Sequence, residues 1–151
     1  MQRFCWMATP VLALTLAGCG GDGLTRVAIQ GKLTAKGKPV DNAVVQFIPM
    51  GSTKGEGGIA RSDADGNFTM TGSRQGHRGV VPGDYKVVVS RMVAADGTVL
   101  GPDWKQAENP SAKDSIPEKY SSRDSSPLKV TVPETGGSVP VDIPEPLLGR
   151  K

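Results

Sequence analysis

Hydrophobic and polar residues alternate in a series of short segments between residues 26 and 144. The clearest segment is 84–91, where Tyr85, Val87 and Val89 share one face. Alternate side chains of a strand point to opposite faces, so each segment predicts a strand with one buried face. The predicted strands cover residues 27–33, 43–47, 59–62, 67–70, 84–91, 128–132 and 139–143.

Turn-forming residues separate these segments. Gly37 and Pro39 follow the first strand, and Pro82-Gly83 precedes the fifth. Glycine tolerates positive φ and proline fixes φ, so both favour turns. Short strands with turns between them predict an all-β fold, a single antiparallel β-sandwich of about seven strands. Pro140 cannot donate a ladder hydrogen bond, so the last strand is predicted to lie at a sheet edge or to point the Pro140 nitrogen outward.

The segment from residue 92 to residue 127, here called the insertion, breaks this rhythm. It is too long for a plain connection between two strands, so we expect it to be either functional or partly disordered. Its aromatic residues are Trp104 and Tyr120. Each ring either pins the insertion onto the sandwich or contacts a ligand or partner.

Two loops resemble known binding loops only superficially. The Gly-rich loop 50–58 lacks the Lys-Ser/Thr ending of a phosphate loop, so a solvated hairpin loop is predicted. Asp63 and Asp65 lack the third acidic ligand and the distal Glu of an EF-hand. Residues 63–66 are therefore predicted to form an Asp-Gly turn rather than a calcium site.

A basic cluster lies in the polar loop 71–81. It contains Arg74, His77 and Arg78. These side chains are either solvated or available to an anionic partner. No orienting carboxylate for His77 is evident from the sequence.

The N-terminus has the order of a secretory signal. Arg3 precedes an apolar run from Phe4 to Leu16, which is too short for a stable membrane span. A buried helix is the alternative, but Pro10 in its middle argues against it.

Leu16-Ala17-Gly18-Cys19 resembles the lipobox of bacterial lipoproteins. The resemblance implies that residues 1–18 are removed and that Cys19 carries lipid such as palmitate. Residues 19–25 would then form a lipidated tether that anchors an exported protein to the cell envelope membrane. Gly20 stands where an Asp would signal retention in the inner membrane, so the outer membrane is favoured.

The composition argues against several kinds of structure and binding site. The chain has 151 residues, enough for one domain, and its 20 Gly and 12 Pro argue against long helices. Of two cysteines, Cys5 lies in the leader, and His77 is the one histidine, so no His/Cys metal site and no cofactor are expected. The net charge of +3 includes no basic stripe, which argues against nucleic-acid binding.

Several motifs together resemble the carboxypeptidase regulatory-like domains, a transthyretin-like (prealbumin-like) β-sandwich family. The motifs are Gly37-Lys38-Pro39-Val40, Ala43-Val44-Val45-Gln46-Phe47, Asp63-Ala64-Asp65-Gly66-Asn67-Phe68, Pro82-Gly83-Asp84-Tyr85-Lys86-Val87 and Ile116-Pro117-Glu118-Lys119-Tyr120. The resemblance implies one domain over residues 26–144, with a tail at 145–151. It also implies an accessory role rather than a reaction.

The sequence thus predicts a non-catalytic envelope lipoprotein that acts as an interaction or structural module. An enzyme is disfavoured because no Gly-x-Ser-x-Gly motif occurs and His77 has no evident catalytic partner. The alternative is a module that binds a glycan or small ligand through the insertion, with Trp104 and Tyr120 as stacking surfaces. The expected partners are the membrane, through the lipid on Cys19, and either an envelope protein or a glycan.

Overall fold

The computed structural model describes residues 22–149. The signal peptide, Cys19 and the start of the tether lie outside the described residues, so their predictions stay predictions. The described strands are β1 (Ile29–Ala35), β2 (Lys38–Pro39), β3 (Val44–Pro49), β4 (Gly58–Arg61), β5 (Asn67–Thr69), β6 (Thr71–Gly72), β7 (Gly83–Ser90), β8 (Met92–Val93), β9 (Lys113–Asp114), β10 (Lys129–Val132), β11 (Gly137–Ser138) and β12 (Val141–Ile143). One short helix, α1 (Glu118–Ser121), accompanies them, and the predicted all-β fold is confirmed.

The first sheet is built around β1. Strands β2 and β5 pair with β1 in the antiparallel sense, and β11 and β12 pair with it in parallel. Ile29 faces Gly137 and Leu33 faces Val141, so β11 and β12 keep one register along the same side of β1. They are two parts of one edge strand interrupted at Pro140, and the predicted edge position is confirmed.

Parallel pairing at this edge differs from the antiparallel arrangement expected for the whole sandwich. Strand β10 ends at Val132, which faces Gly83 at the start of β7. The short turn after it brings Gly137 to the Ala28 carbonyl, where its amide donates a hydrogen bond of 3.1 Å. The chain therefore reaches the first sheet at the end where β1 begins, and must run alongside β1 in the same direction.

The second sheet is antiparallel throughout, with strand order β10-β7-β3-β4-β6. Strands β3 and β7 form its centre, with Val45 facing Val89 and Phe47 facing Val87. These positions are the inward-facing ones of the sequence alternation, and all four side chains are fully buried. The period-two pattern thus predicted both the strands and their buried face.

The core lies between the two sheets. Phe47 of the second sheet packs against Phe68 of the first, and Tyr85 lies beside Phe47. The Tyr85 hydroxyl donates a hydrogen bond of 2.6 Å to the Val81 carbonyl. The largest fully buried side chains are Tyr85, Tyr120, Phe47, Ile29, Leu33, Met70, Ile116, Ile143, Val40, Val45, Val80 and Val87.

The insertion is ordered and contributes to the core. It contains β8, β9 and α1, and its residues Ile116 and Tyr120 are each 1% exposed. Tyr120 therefore pins the insertion onto the sandwich, the structural one of its two predicted roles.

The sandwich has two distinct ends. At the entry end, Val27 pairs with Val80 and β7 begins at Gly83. At the insertion end, β7 finishes at Ser90 and the chain passes into β8. Eight residues of β7 separate the ends by about 24 Å at the usual rise of a strand. Between residues 22 and 149 no helix has the length and apolar character needed to cross a membrane.

Candidate functional site

A cleft of about 820 Å³ lies at the insertion end. Strands β8 and β9 provide one wall, and the C-terminal segment from Leu147 to Gly149 provides another. Asp41 and Arg91 line it from the sandwich itself. Because the cleft combines the insertion with the last described residues, it forms only when both are docked.

The wall of β8 is shaped by a tight turn. Val93 bridges to Val99, and Gly97 takes φ 87° between them. Asp96 Oδ1 accepts a hydrogen bond of 2.9 Å from the Thr98 amide, and this bond lowers the pKa of the Asp96 carboxyl. The turn at Asp96-Gly97 thus holds Val93 and Val99 against the cleft.

Arg91 is buried at the base of the insertion and fully engaged. Its Nε donates to the Asp41 carbonyl and its Nη2 to Asp41 Oδ1, each at 2.8 Å. Nη1 donates to Ser115 Oγ at 3.3 Å, and that hydroxyl donates to the Arg91 carbonyl at 3.0 Å. The Ser115 hydroxyl is therefore committed to structure rather than free as a nucleophile.

The C-terminal segment, residues 147–149, is bonded to the part of the insertion that contains Ser115. The Leu148 amide donates a hydrogen bond of 2.7 Å to the Ser115 carbonyl. Leu147 is buried, whereas the Leu148 side chain is 55% exposed beside the cleft. Asp114 Oδ1 accepts from the amides of Arg91 and Ile116. The result is a cleft lined by both apolar and polar side chains, in which the buried Arg91 and Ser115 are already hydrogen-bonded, and this suits binding better than covalent chemistry.

The predicted aromatic pair does not line this cleft. Trp104 is half-buried and lies outside the cleft lining. Tyr120 is 1% exposed, and Lys119 Nζ lies 4.9 Å from its ring centroid. The interpretation of Tyr120 as a ligand-stacking surface is wrong, because its ring is enclosed by the core.

The basic cluster of loop 71–81 lies at the opposite, entry end. Arg74 and Arg78 are exposed, whereas His77 is partly buried. His77 Nδ1 forms a short hydrogen bond with Glu56 Oε1. The expectation that His77 lacks an orienting carboxylate is therefore wrong, and the cluster is not a uniform basic surface.

Glu56 and His77 belong to a four-residue network. Arg26 donates to Asp22 Oδ1 and Oδ2 at 3.0 and 2.5 Å and contacts both oxygens of Glu56 at 3.4 Å. The Arg26 guanidinium holds the pKa of Asp22 well below its usual range, and the His77 contact lowers the pKa of Glu56. Asp22 in turn raises the pKa of Arg26.

The network also resembles a metal site. Ligand atoms of Asp22, Glu56 and His77 lie within 4.8 Å of one another. The guanidinium of Arg26 already bonds both carboxylates, so it takes the position and the charge that a cation would supply. We therefore interpret the cluster as an ion network rather than a metal centre.

Sequence analysis did not predict two features of these sites, the ion pair of Arg91 and the contact of Glu56 with His77. Only the first could have been predicted from a sequence pattern. Arg91 continues the inward series of Tyr85, Val87 and Val89, so a charged residue at an inward position indicated a buried ion pair. The contact of Glu56 with His77 joins two separate loops, and no local pattern predicted it.

Comparisons of the chain with protein-family models, with curated proteins and with solved structures found no match. The two family resemblances therefore stay predictions.

Proposed function

We propose that this protein is an exported, lipid-anchored, non-catalytic module that presents its insertion end to a partner in the cell envelope. The observation that carries the proposal is the position of the cleft. The cleft lies at the insertion end, whereas Asp22, the first described residue, lies at the entry end.

The anchor and the cleft lie at opposite ends of the domain, which would expose the cleft to partners away from the membrane. Cys19 precedes Asp22 by three positions, with Gly20 and Gly21 between them, and this stretch of chain reaches about 10 Å at most. A lipid on Cys19 would therefore keep the entry end close to the membrane. The insertion end would point away from it, at about the length of β7 further out. Gly20 after the cysteine favours the outer membrane.

The residues of the cleft support a non-catalytic role. The Ser115 hydroxyl and the Arg91 guanidinium are both bonded within the fold. His77, the one histidine of the sequence, lies at the entry end. Leu148 exposes 55% of its side chain at the cleft, next to the apolar Val93 and Val99 and the polar Asp96 and Lys113. Apolar side chains grouped among polar ones are typical of a protein contact.

Anchoring and partner contact are tested separately in the full-length protein. With Cys19 intact it should be recovered in the membrane fraction, and Cys19→Ala should release it or block its processing. Recovery of the unchanged protein in the soluble fraction would contradict the anchor.

Partner contact is tested with a photo-crosslinking residue at position 148 or at position 59. Leu148 borders the cleft, and Ile59 is the matched control, since both are large exposed hydrophobic residues. We expect a discrete crosslinked species at position 148 that Val99→Asp removes, and none at position 59. Equal crosslinking at both positions would contradict the proposal.

A second candidate function is binding of a small molecule or glycan in the same cleft. Its volume lies within the range of about 300–1,000 Å³ that is common for ligand sites. A panel of mono- and disaccharides, followed by NMR, tests it. Saturable shifts at Val93 and Val99 that survive Trp104→Ala place binding in the cleft. Shifts that depend on Trp104 would instead support ligand stacking on the Trp104 ring. If no chemical shift changes, binding of a small molecule or glycan is rejected.

A further inference from the structure

We propose that Asp22, Arg26, Glu56 and His77 form a pH-dependent latch that holds the segment leading into the sandwich. The four residues come from three places in the chain: the entry segment, loop 50–57 and loop 73–79. Arg26 joins the entry segment to Glu56 of loop 50–57, and His77 joins loop 73–79 to the same carboxylate. The ligand atoms of Asp22 and His77 lie within 4.8 Å of each other. The latch goes beyond the proposed function, because it concerns how the tether leaves the domain.

Charge balance makes the latch sensitive to one proton. Asp22 and Glu56 supply two negative charges, and Arg26 supplies one positive charge. Protonated His77 balances the network, whereas neutral His77 leaves one negative charge in excess. Histidine is the side chain whose ordinary titration falls between pH 5 and pH 8.

Partial burial of these side chains makes the charge balance of the network matter for its stability. The side chains of Arg26, His77 and Glu56 are 13%, 25% and 29% exposed. Water screens such charges less than those on an open surface. The bond to His77 lowers the pKa of Glu56, so Glu56 stays ionised between pH 5 and pH 8.

The loop that carries His77 is held tightly enough to transmit the change. Val27 and Val80 exchange backbone hydrogen bonds of 2.8 and 3.1 Å. A Cβ at Gly79 would lie 2.2 Å from the Val27 carbonyl oxygen, and one at Gly72 would lie 2.6 Å from the His77 Cβ. Loop 73–79 and Val27 therefore have little freedom, and residues 22–26, which precede this pairing, are the part that can loosen.

Other charged groups near His77 do not replace its role. Arg74 and Arg78 lie on its own loop and are exposed. Tyr85 is the titratable group that the second sheet supplies, and its hydroxyl is bonded to the Val81 carbonyl. Burial raises the pKa of Tyr85, so it stays neutral across the titration of histidine.

The test uses the chain from Gly20 to Lys151, which keeps every core residue named above. Amide exchange of Leu24, whose amide donates a hydrogen bond of 3.1 Å to Asp22 Oδ1, is measured by NMR from pH 5 to pH 8, with exchange corrected for its intrinsic pH dependence. Backbone relaxation of Leu24 and Arg26 is measured alongside. We expect protection of the Leu24 amide to fall about two- to fivefold between pH 5 and pH 8. Amides of β7 should not change.

Two variants distinguish a latch that depends on His77 from a general effect of pH on the domain. His77→Gln should lose the pH dependence and remain in the loosened state, whereas Arg78→Gln on the same loop should keep it. Equal protection at pH 5 and pH 8 in the unchanged chain would overturn the proposal. So would an unchanged midpoint in His77→Gln. If His77→Gln fails to fold, the titration of the unchanged chain alone still decides.

Discussion

The rings of Phe47 and Phe68 meet edge to face across the sandwich, with 6.3 Å between centroids and 79° between planes. Phe47 comes from β3 in the second sheet and Phe68 from β5 in the first. The contact joins the two sheets near the centre of the core, and both rings are buried. An aromatic pair of this geometry contributes beyond the area that it buries.

Removing one ring should strongly destabilise the protein. We expect Phe68→Ala to lower the free energy of unfolding by about 3–5 kcal/mol, because it creates a cavity in the core. Ile59→Ala is the control, since that side chain is 42% exposed and should cost less than about 1 kcal/mol. Urea denaturation measures both. A loss for Phe68→Ala as small as for the control would show that the ring is not part of a packed core.

The close approach of Gly31 to Phe68 makes a second prediction. A Cβ at Gly31 would lie 2.3 Å from Phe68 Cζ and 2.3 Å from the Val139 carbonyl oxygen. We expect Gly31→Ala to lower the unfolding free energy by about 1–3 kcal/mol through overpacking. Gly101→Ala, with no atom within 4 Å of its Cβ, should change it by about 0.5 kcal/mol at most. If the two substitutions cost the same, the edge strand does not pack on β1 as described.

Local patterning predicted the large strands but not the short ones. The strands β1, β3, β7 and β10 each carry several alternating residues, so their buried face was readable. Strands β8 and β9 have two residues each, too few for any period. Tertiary packing of Ile116 and Tyr120 orders the insertion, and that packing has no local signal.

Pairing partners were harder to predict than strands. The parallel edge beside β1 depends on which end of the sandwich the chain crosses after Val132. Alternation reports a strand's buried face and not its neighbour, so the sequence favoured a wholly antiparallel sandwich. Local patterns could not predict the network at the entry end either, because Glu56 and His77 are 21 positions apart in the sequence.

A buried hydroxyl should matter more than its size suggests. Ser62 Oγ accepts a hydrogen bond of 2.9 Å from the Ala43 amide and donates one of 2.7 Å to the Val40 carbonyl. Ser62→Ala leaves these buried groups without that partner, so we expect a loss of about 1–3 kcal/mol in unfolding free energy. Ser138→Ala, at an exposed position, is the control and should be near neutral. A neutral Ser62→Ala would indicate that water replaces the hydroxyl.

The turn at Asp63 should give the domain a measurable acid dependence. Asp63 Oδ1 accepts hydrogen bonds from the amides of Asn67 and Asp65, and the bond from Asn67 is the main cause of the lowered pKa of Asp63. A carboxyl with a lowered pKa when folded stabilises the fold above its unfolded pKa of about 3.9. That contribution is lost as pH falls through the folded value.

Carboxyl NMR titration and unfolding between pH 2 and pH 6 check this prediction. The Asp63 midpoint should lie below the ordinary value for aspartate, and Asp63→Asn should weaken the acid dependence of unfolding. An ordinary midpoint, or an unchanged acid dependence in Asp63→Asn, would contradict the turn geometry.

The ion pair of Arg91 and Asp41 should control whether the cleft forms. The guanidinium makes three hydrogen bonds with Asp41 and Ser115, a forked geometry that a lysine ammonium cannot reproduce. We expect Arg91→Lys to lower the unfolding free energy by about 1–2 kcal/mol and Arg91→Met by about 2–3 kcal/mol, because Asp41 loses its partner. The Leu148 amide, bonded to Ser115, should lose exchange protection in both variants, since Arg91 positions Ser115. Lys113→Met, at an exposed residue of the same cleft, should change neither quantity by more than about 0.5 kcal/mol. If Arg91→Met leaves stability and Leu148 protection unchanged, the ion pair does not position the C-terminal wall.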